Sequence, residues 1–101
     1  MSALNNFLTG ATARITARIV ALATGQAADP SGLVLKIRKP DKTLVTLTFG
    51  VDIVLVKDSV GNYHADVLLD QAGVWHWRFE SSGANSGVAE DKLTVKASHV
   101  L

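Results

Sequence analysis

Hydrophobic and polar positions alternate along most of this chain, and period-two alternation predicts strands. In Thr12 to Leu22, Ala13, Ile15, Ala17, Ile19 and Ala21 share one parity; Thr12, Arg14, Thr16 and Arg18 share the other. A helix would also put Arg14 and Arg18 on one stripe, so helix competes here. The β-branched content and the turn formers that follow favour strand. Gly25, Asp29, Pro30, Ser31 and Gly32 then mark a loop.

The same alternation predicts strands over Leu33–Lys39, Thr43–Phe49, Ile53–Lys57, Tyr63–Leu69, Val74–Glu80 and Val88–Lys96. Pro40-Asp41-Lys42 reads as a hairpin connection. Asp58-Ser59-Val60-Gly61-Asn62 reads as a turn, and Asp70-Gln71-Ala72-Gly73 as a tight corner. Gly61 and Gly73 are expected at turn positions that other residues tolerate poorly. Val74–Glu80 is the clearest strand: Trp75, Trp77 and Phe79 share one face, and His76, Arg78 and Glu80 the other. These three aromatics are expected to form the central core layer, with Trp77 at its middle, alongside Ile15, Ile19, Leu35, Ile37, Val67 and Leu93. About seven short strands at this spacing, each bounded by turn residues, predict an all-β fold: an immunoglobulin-like antiparallel β-sandwich.

A chain of 101 residues suits one domain, here assigned to 11–97 with a short tail at 98–101. Residues 1–10 have two open readings. They are strand A of the same sandwich, or an arm whose Leu4, Phe7 and Leu8 bind a partner. The apolar runs are too short and too interrupted to span a bilayer, and no signal-peptide pattern is read.

The chain contains no cysteine, which excludes a disulfide framework and a Cys-based zinc site. Net charge is +1 with the signs interleaved, so a nucleic-acid surface is not expected. The densest cationic group, Lys36, Arg38, Lys39 and Lys42, reads as a solvated strand face. His64 and His76 fall at outward positions and His99 in the tail; solvent exposure is preferred over a metal site built with Asp66. Asp66 and Asp70, four apart on an extended chain, stand roughly 13 Å apart, too far to pair as catalytic carboxylates. Trp75 and Trp77 read as core residues in preference to a sugar-stacking platform. The nucleophile motif Gly-x-Ser-x-Gly and phosphate-cradling glycine loops are absent. No catalytic, cofactor-binding or metal-binding residue is assigned, and the chain is expected not to be an enzyme.

The run Leu69-Asp70-Gln71-Ala72-Gly73-Val74-Trp75-His76-Trp77-Arg78-Phe79 resembles the corner that leads into the penultimate strand of Ig-like domains. On that likeness Trp75 replaces the corner tyrosine and Trp77 the usual cysteine. Trp75 brings no hydroxyl for the usual corner hydrogen bond. A longer stretch, Leu33 to Val95, resembles small Ig-like proteins encoded among the virion genes of tailed bacteriophages and prophages. Its matching features are Val34-Leu35-Lys36-Ile37-Arg38-Lys39-Pro40-Asp41-Lys42-Thr43, Lys57-Asp58-Ser59-Val60-Gly61-Asn62-Tyr63-His64 and the Asp70–Phe79 corner. The resemblance implies a virion structural protein assembled in the host bacterial cytoplasm, as a capsid decoration or a head–tail or tail component. Its implied partners are other virion proteins or copies of itself, with no cofactor, nucleic acid or membrane. The competing reading is a carbohydrate- or surface-binding Ig-like module of a bacterial protein system.

Overall fold

The computed structural model describes residues 6–83 and 86–97. The chain is all-β, with eight strands in two packed sheets. The strands are β1 (Asn6–Leu8), β2 (Thr12–Arg18), β3 (Gly32–Arg38), β4 (Leu44–Thr48), β5 (Leu55–Ser59), β6 (Asn62–Leu68), β7 (Gly73–Ser82) and β8 (Gly87–Lys96). One sheet has the order β1-β8-β7-β3-β4 and the other β2-β6-β5. Strand β7 is thus flanked by β3 and β8, and β2 pairs with β6, which is the crossed connectivity of an Ig-like sandwich. The Thr12–Leu22 stretch is strand and not helix, although pairing stops at Arg18 and resumes only as a bridge between Val20 and Ala27.

All pairings are antiparallel except β1 with β8, which is parallel and sets Phe7 beside Val95. This eighth strand answers part of the question over residues 1–10: Asn6–Leu8 form an edge strand of their own sandwich. Strand β5 starts two residues later than the alternation predicts, at Leu55. Val51-Asp52-Ile53-Val54 instead belong to the crossover between the sheets, where Asp52 accepts the Thr48 backbone N–H at 2.8 Å.

Alternation decides which side chains are buried. Leu33, Leu35 and Ile37 of β3 face Ala13 and Ile15 of β2 and Tyr63 and Ala65 of β6 across the interior. Trp75, Phe79, Leu93 and Val95 complete the core. The expected core needs one correction: its centre is Trp75, only 1% exposed, whereas Trp77, Ile19 and Val67 are partly buried and pack against its margin.

Two glycines occupy constrained turns. Gly61 has φ +75°, and a Cβ there would lie 2.5 Å from the Ile19 carbonyl oxygen. Gly73 has φ +127°, and its Cβ would meet the Pro40 ring at 2.8 Å. Both the backbone angle and the contact exclude a side chain.

Candidate interaction surface

The corner before β7 shows how the fold replaces two Ig features that the sequence lacks. The indole Nε1–H of Trp75 donates to the Gln71 carbonyl at 2.9 Å. A tyrosine at this corner would bond the backbone a few residues upstream through its hydroxyl. Here the indole N–H makes the equivalent bond, so the loss of the hydroxyl leaves no gap. The Lys39 ammonium lies 5.6 Å from the Trp75 ring centroid and reaches Asp70 at 3.2 Å. It thereby covers the outer side of the ring.

Two residues further along β7, Trp77 stands where the inter-sheet disulfide would be. It lines a cleft of about 540 Å³ with Ile15 and Ala17 of β2, Ile19 just beyond it, Leu33 of β3 and Phe79 of β7. The cleft exists because both bordering strands are edges. Among the described residues strand β2 pairs only with β6. Strand β8 pairs with β7 along its length, but β1 covers only Thr94–Lys96 of its other side; among the described residues Gly87–Leu93 has no second neighbour. The sandwich is therefore open between β2 and β8. Asp91, opposite Trp77, has the inward parity of Leu93 and Val95 yet remains exposed.

The residues read as a partner-binding arm separate in the structure. Phe7 packs against the core of its own domain from β1 and also lines the cleft. Leu8 points outward and is 54% exposed. Leu4 lies outside the described residues. Thr9 secures the end of β1 through its backbone N–H and hydroxyl, both donated to the Lys96 carbonyl.

The histidines and carboxylates divide among ordinary contacts. His64 Nδ1 lies 2.7 Å from Asp58, and its side chain is mostly buried, a correction to its reading as solvent-facing. Asp66 accepts a two-point contact from Arg14 at 2.8 and 3.0 Å. That contact holds its carboxyl below the usual carboxylate range. His76 is exposed on the opposite sheet, and His99 lies outside the described residues. Among the described residues no group of three or more His, Cys, Asp or Glu could hold a metal ion, and no helix is long and apolar enough to cross a membrane.

One polar cluster escaped sequence reasoning. Asp29, in the β2–β3 loop, accepts from Lys57 at 2.6 Å, the Gly61 backbone N–H at 2.9 Å and the Tyr63 hydroxyl at 3.0 Å. The Lys57 contact first, then the Gly61 N–H, lowers its pKa to about 2. Burial, with the Asp29 contact second, raises the Tyr63 hydroxyl to about 12. The only signal in the chain was an Asp before Pro30 in a turn-rich segment, which names no partner. The cluster ties the β2–β3 loop to the β5–β6 turn and is structural.

The chain matches no protein-family model and no curated protein in sequence.

Proposed function

We propose that this chain is a non-enzymatic structural protein of a tailed-bacteriophage virion, a capsid decoration or a head–tail or tail component. Its partners in this reading are other virion proteins or further copies of itself. The observation that carries the proposal is the open side of the sandwich. An Ig-like domain in which, among the described residues, Gly87–Leu93 of β8 and the outer edge of β2 have no partner strand, over a cleft floored by Trp77 and Phe79, is shaped for association. The turn and corner motifs between Leu33 and Val95 resemble those of phage Ig-like proteins and direct the reading to virions.

The test is location. Particles released from a bacterial strain carrying this gene, banded by density and analysed by mass spectrometry and immunogold labelling, should contain the chain at a stoichiometric ratio to capsid or tail protein. Recovery only in the particle-free fraction would sink the proposal. A second reading, a carbohydrate- or surface-binding module, draws on the partly exposed Trp77 ring beside Asp91. It predicts saturable glycan binding that Trp77→Ala abolishes without unfolding the domain.

A further inference from the structure

The outer face of the five-stranded sheet is organised in rows across the strands. Residues of even number on β3, β7 and β8 alternate with the buried Leu35, Ile37, Trp75, Phe79, Leu93 and Val95, so they share the outward side. Register places Lys36, Arg78 and Glu90 in one row. Glu80 lies in the next row and joins the network: Arg78 pairs with Glu80 at 2.7 Å and Glu90 at 2.9 Å, and Lys36 reaches Glu80 at 3.2 Å. These charges neutralise one another.

The adjacent row is different. Arg38 pairs with His76 and His76 with Lys92, so three strands in succession present a basic side chain, with Leu44 at the end of the row. Lys42 flanks it from the β3–β4 turn, and the Arg38 guanidinium donates only to the Lys42 carbonyl, at 3.1 Å. Among the described residues the side chains of Arg38, Lys42, His76 and Lys92 form no ion pair with a carboxylate; Asp91 instead accepts the Lys92 backbone N–H at 2.8 Å. With strands about 4.8 Å apart, Arg38 and Lys92 stand roughly 10 Å apart, about one Debye length at 0.1 M salt, so their fields overlap most at low salt. A shallow groove runs along Arg38, Lys42, Leu44 and His76, bordered by Trp77, Glu90 and Asp91; Glu90 is engaged by Arg78 at 2.9 Å, and the cations along the groove outnumber its two acids.

We propose that this row is a docking site for an acidic protein surface, with carboxylates of the partner meeting Arg38, His76 and Lys92. The argument is charge complementarity: the row is the part of this sheet face whose cations the chain's own acids leave unanswered. A protein partner fits better than nucleic acid because Trp75 is buried and Trp77, though it borders the groove, packs its ring against the core margin with inward parity and so does not stand out as a stacking platform. The proposal goes beyond the virion reading and does not depend on it.

The test uses the full chain and fluorescently labelled poly-L-glutamate, with an oligothymidylate of matched charge as the competing probe. Polyglutamate should bind at about 50 mM salt and weaken steeply by about 200 mM. Arg38→Ala and Lys92→Ala should each weaken binding roughly three- to fivefold, and together more than about tenfold. Arg18→Ala, which removes the same charge from the other sheet, should change it less than about twofold. Lys92→Ala keeps the test open if Arg38→Ala perturbs the β3–β4 turn. No binding of polyglutamate, an equal loss in Arg18→Ala, or tighter binding of the oligothymidylate would each overturn the proposal.

Discussion

Trp75 and Trp77 lie two residues apart on the same face of β7, in two differently built regions. Trp75 sits at the corner end, where Leu93 is its cross-strand neighbour, Lys39 lies over its ring and the Gln71 carbonyl receives its N–H. Trp77 sits in the open cleft, where its neighbour on β8 is the exposed Asp91 and, among the described residues, no strand bridges β2 to β8. Parity gives both rings the same direction. Coverage by other elements gives them different burial, and coverage determines what a substitution costs.

The largest expected effect tests that contrast directly. Trp75→Ala should cost about 3–5 kcal/mol in denaturant unfolding, close to the whole stability of a domain this size. Trp77→Ala should cost clearly less, about 1–2 kcal/mol. Equal losses would mean that the cleft is closed in solution.

Gly61→Ala comes next. A methyl group there meets the Ile19 carbonyl while φ stays positive, so a loss of about 2–3 kcal/mol is expected in the same measurement. An unchanged midpoint would show that the β5–β6 turn, at the end of the sandwich away from the Trp75 corner, can reshape.

Phe7→Ala probes the lower end of the cleft. As a partly buried side chain on a three-residue strand, Phe7 should contribute about 1–2 kcal/mol to its own domain. If its removal leaves stability intact but abolishes self-association or particle binding, Asn6–Leu8 act in solution as an arm and not as an edge strand.

The smallest effect is one of acidity. Asp29 has its folded pKa lowered to about 2, so its contribution is present above the ordinary carboxylate pKa and is lost as pH falls from about 4 through about 2. Tyr63, raised to about 12, contributes below its ordinary pKa near 10 and loses that contribution as pH rises through about 12. Urea midpoints measured between about pH 2 and 5 should fall more steeply for the wild type than for Asp29→Asn. Parallel curves would remove Asp29 from the set of groups that hold the loop.

Much of the fold was legible in the sequence because its strands are amphipathic. Leu33, Leu35 and Ile37 announce an inward face whichever strands cover them, and Gly61 and Gly73 announce turns because only glycine sits easily at their angles. The start of β5 was not legible: Val51, Ile53 and Val54 are as apolar as strand residues, and only the Asp52–Thr48 hydrogen bond and the crossover path place them in a loop. The parallel strand β1 was left open for a similar reason. Three residues carry too little alternation to name a partner, and their partner lies almost ninety residues away along the chain.

The sequence by itself determined the all-β class, the strand faces, most turns and the absence of a disulfide, because alternation and glycine placement are local properties. Tertiary structure alone decided which tryptophan is sealed and which borders a cleft, since that depends on where edges β2 and β8 are left uncovered. It also decided the partners of Asp29. The row of basic residues across Arg38, His76 and Lys92 follows from register, which couples three strands distant in sequence and which no local pattern encodes.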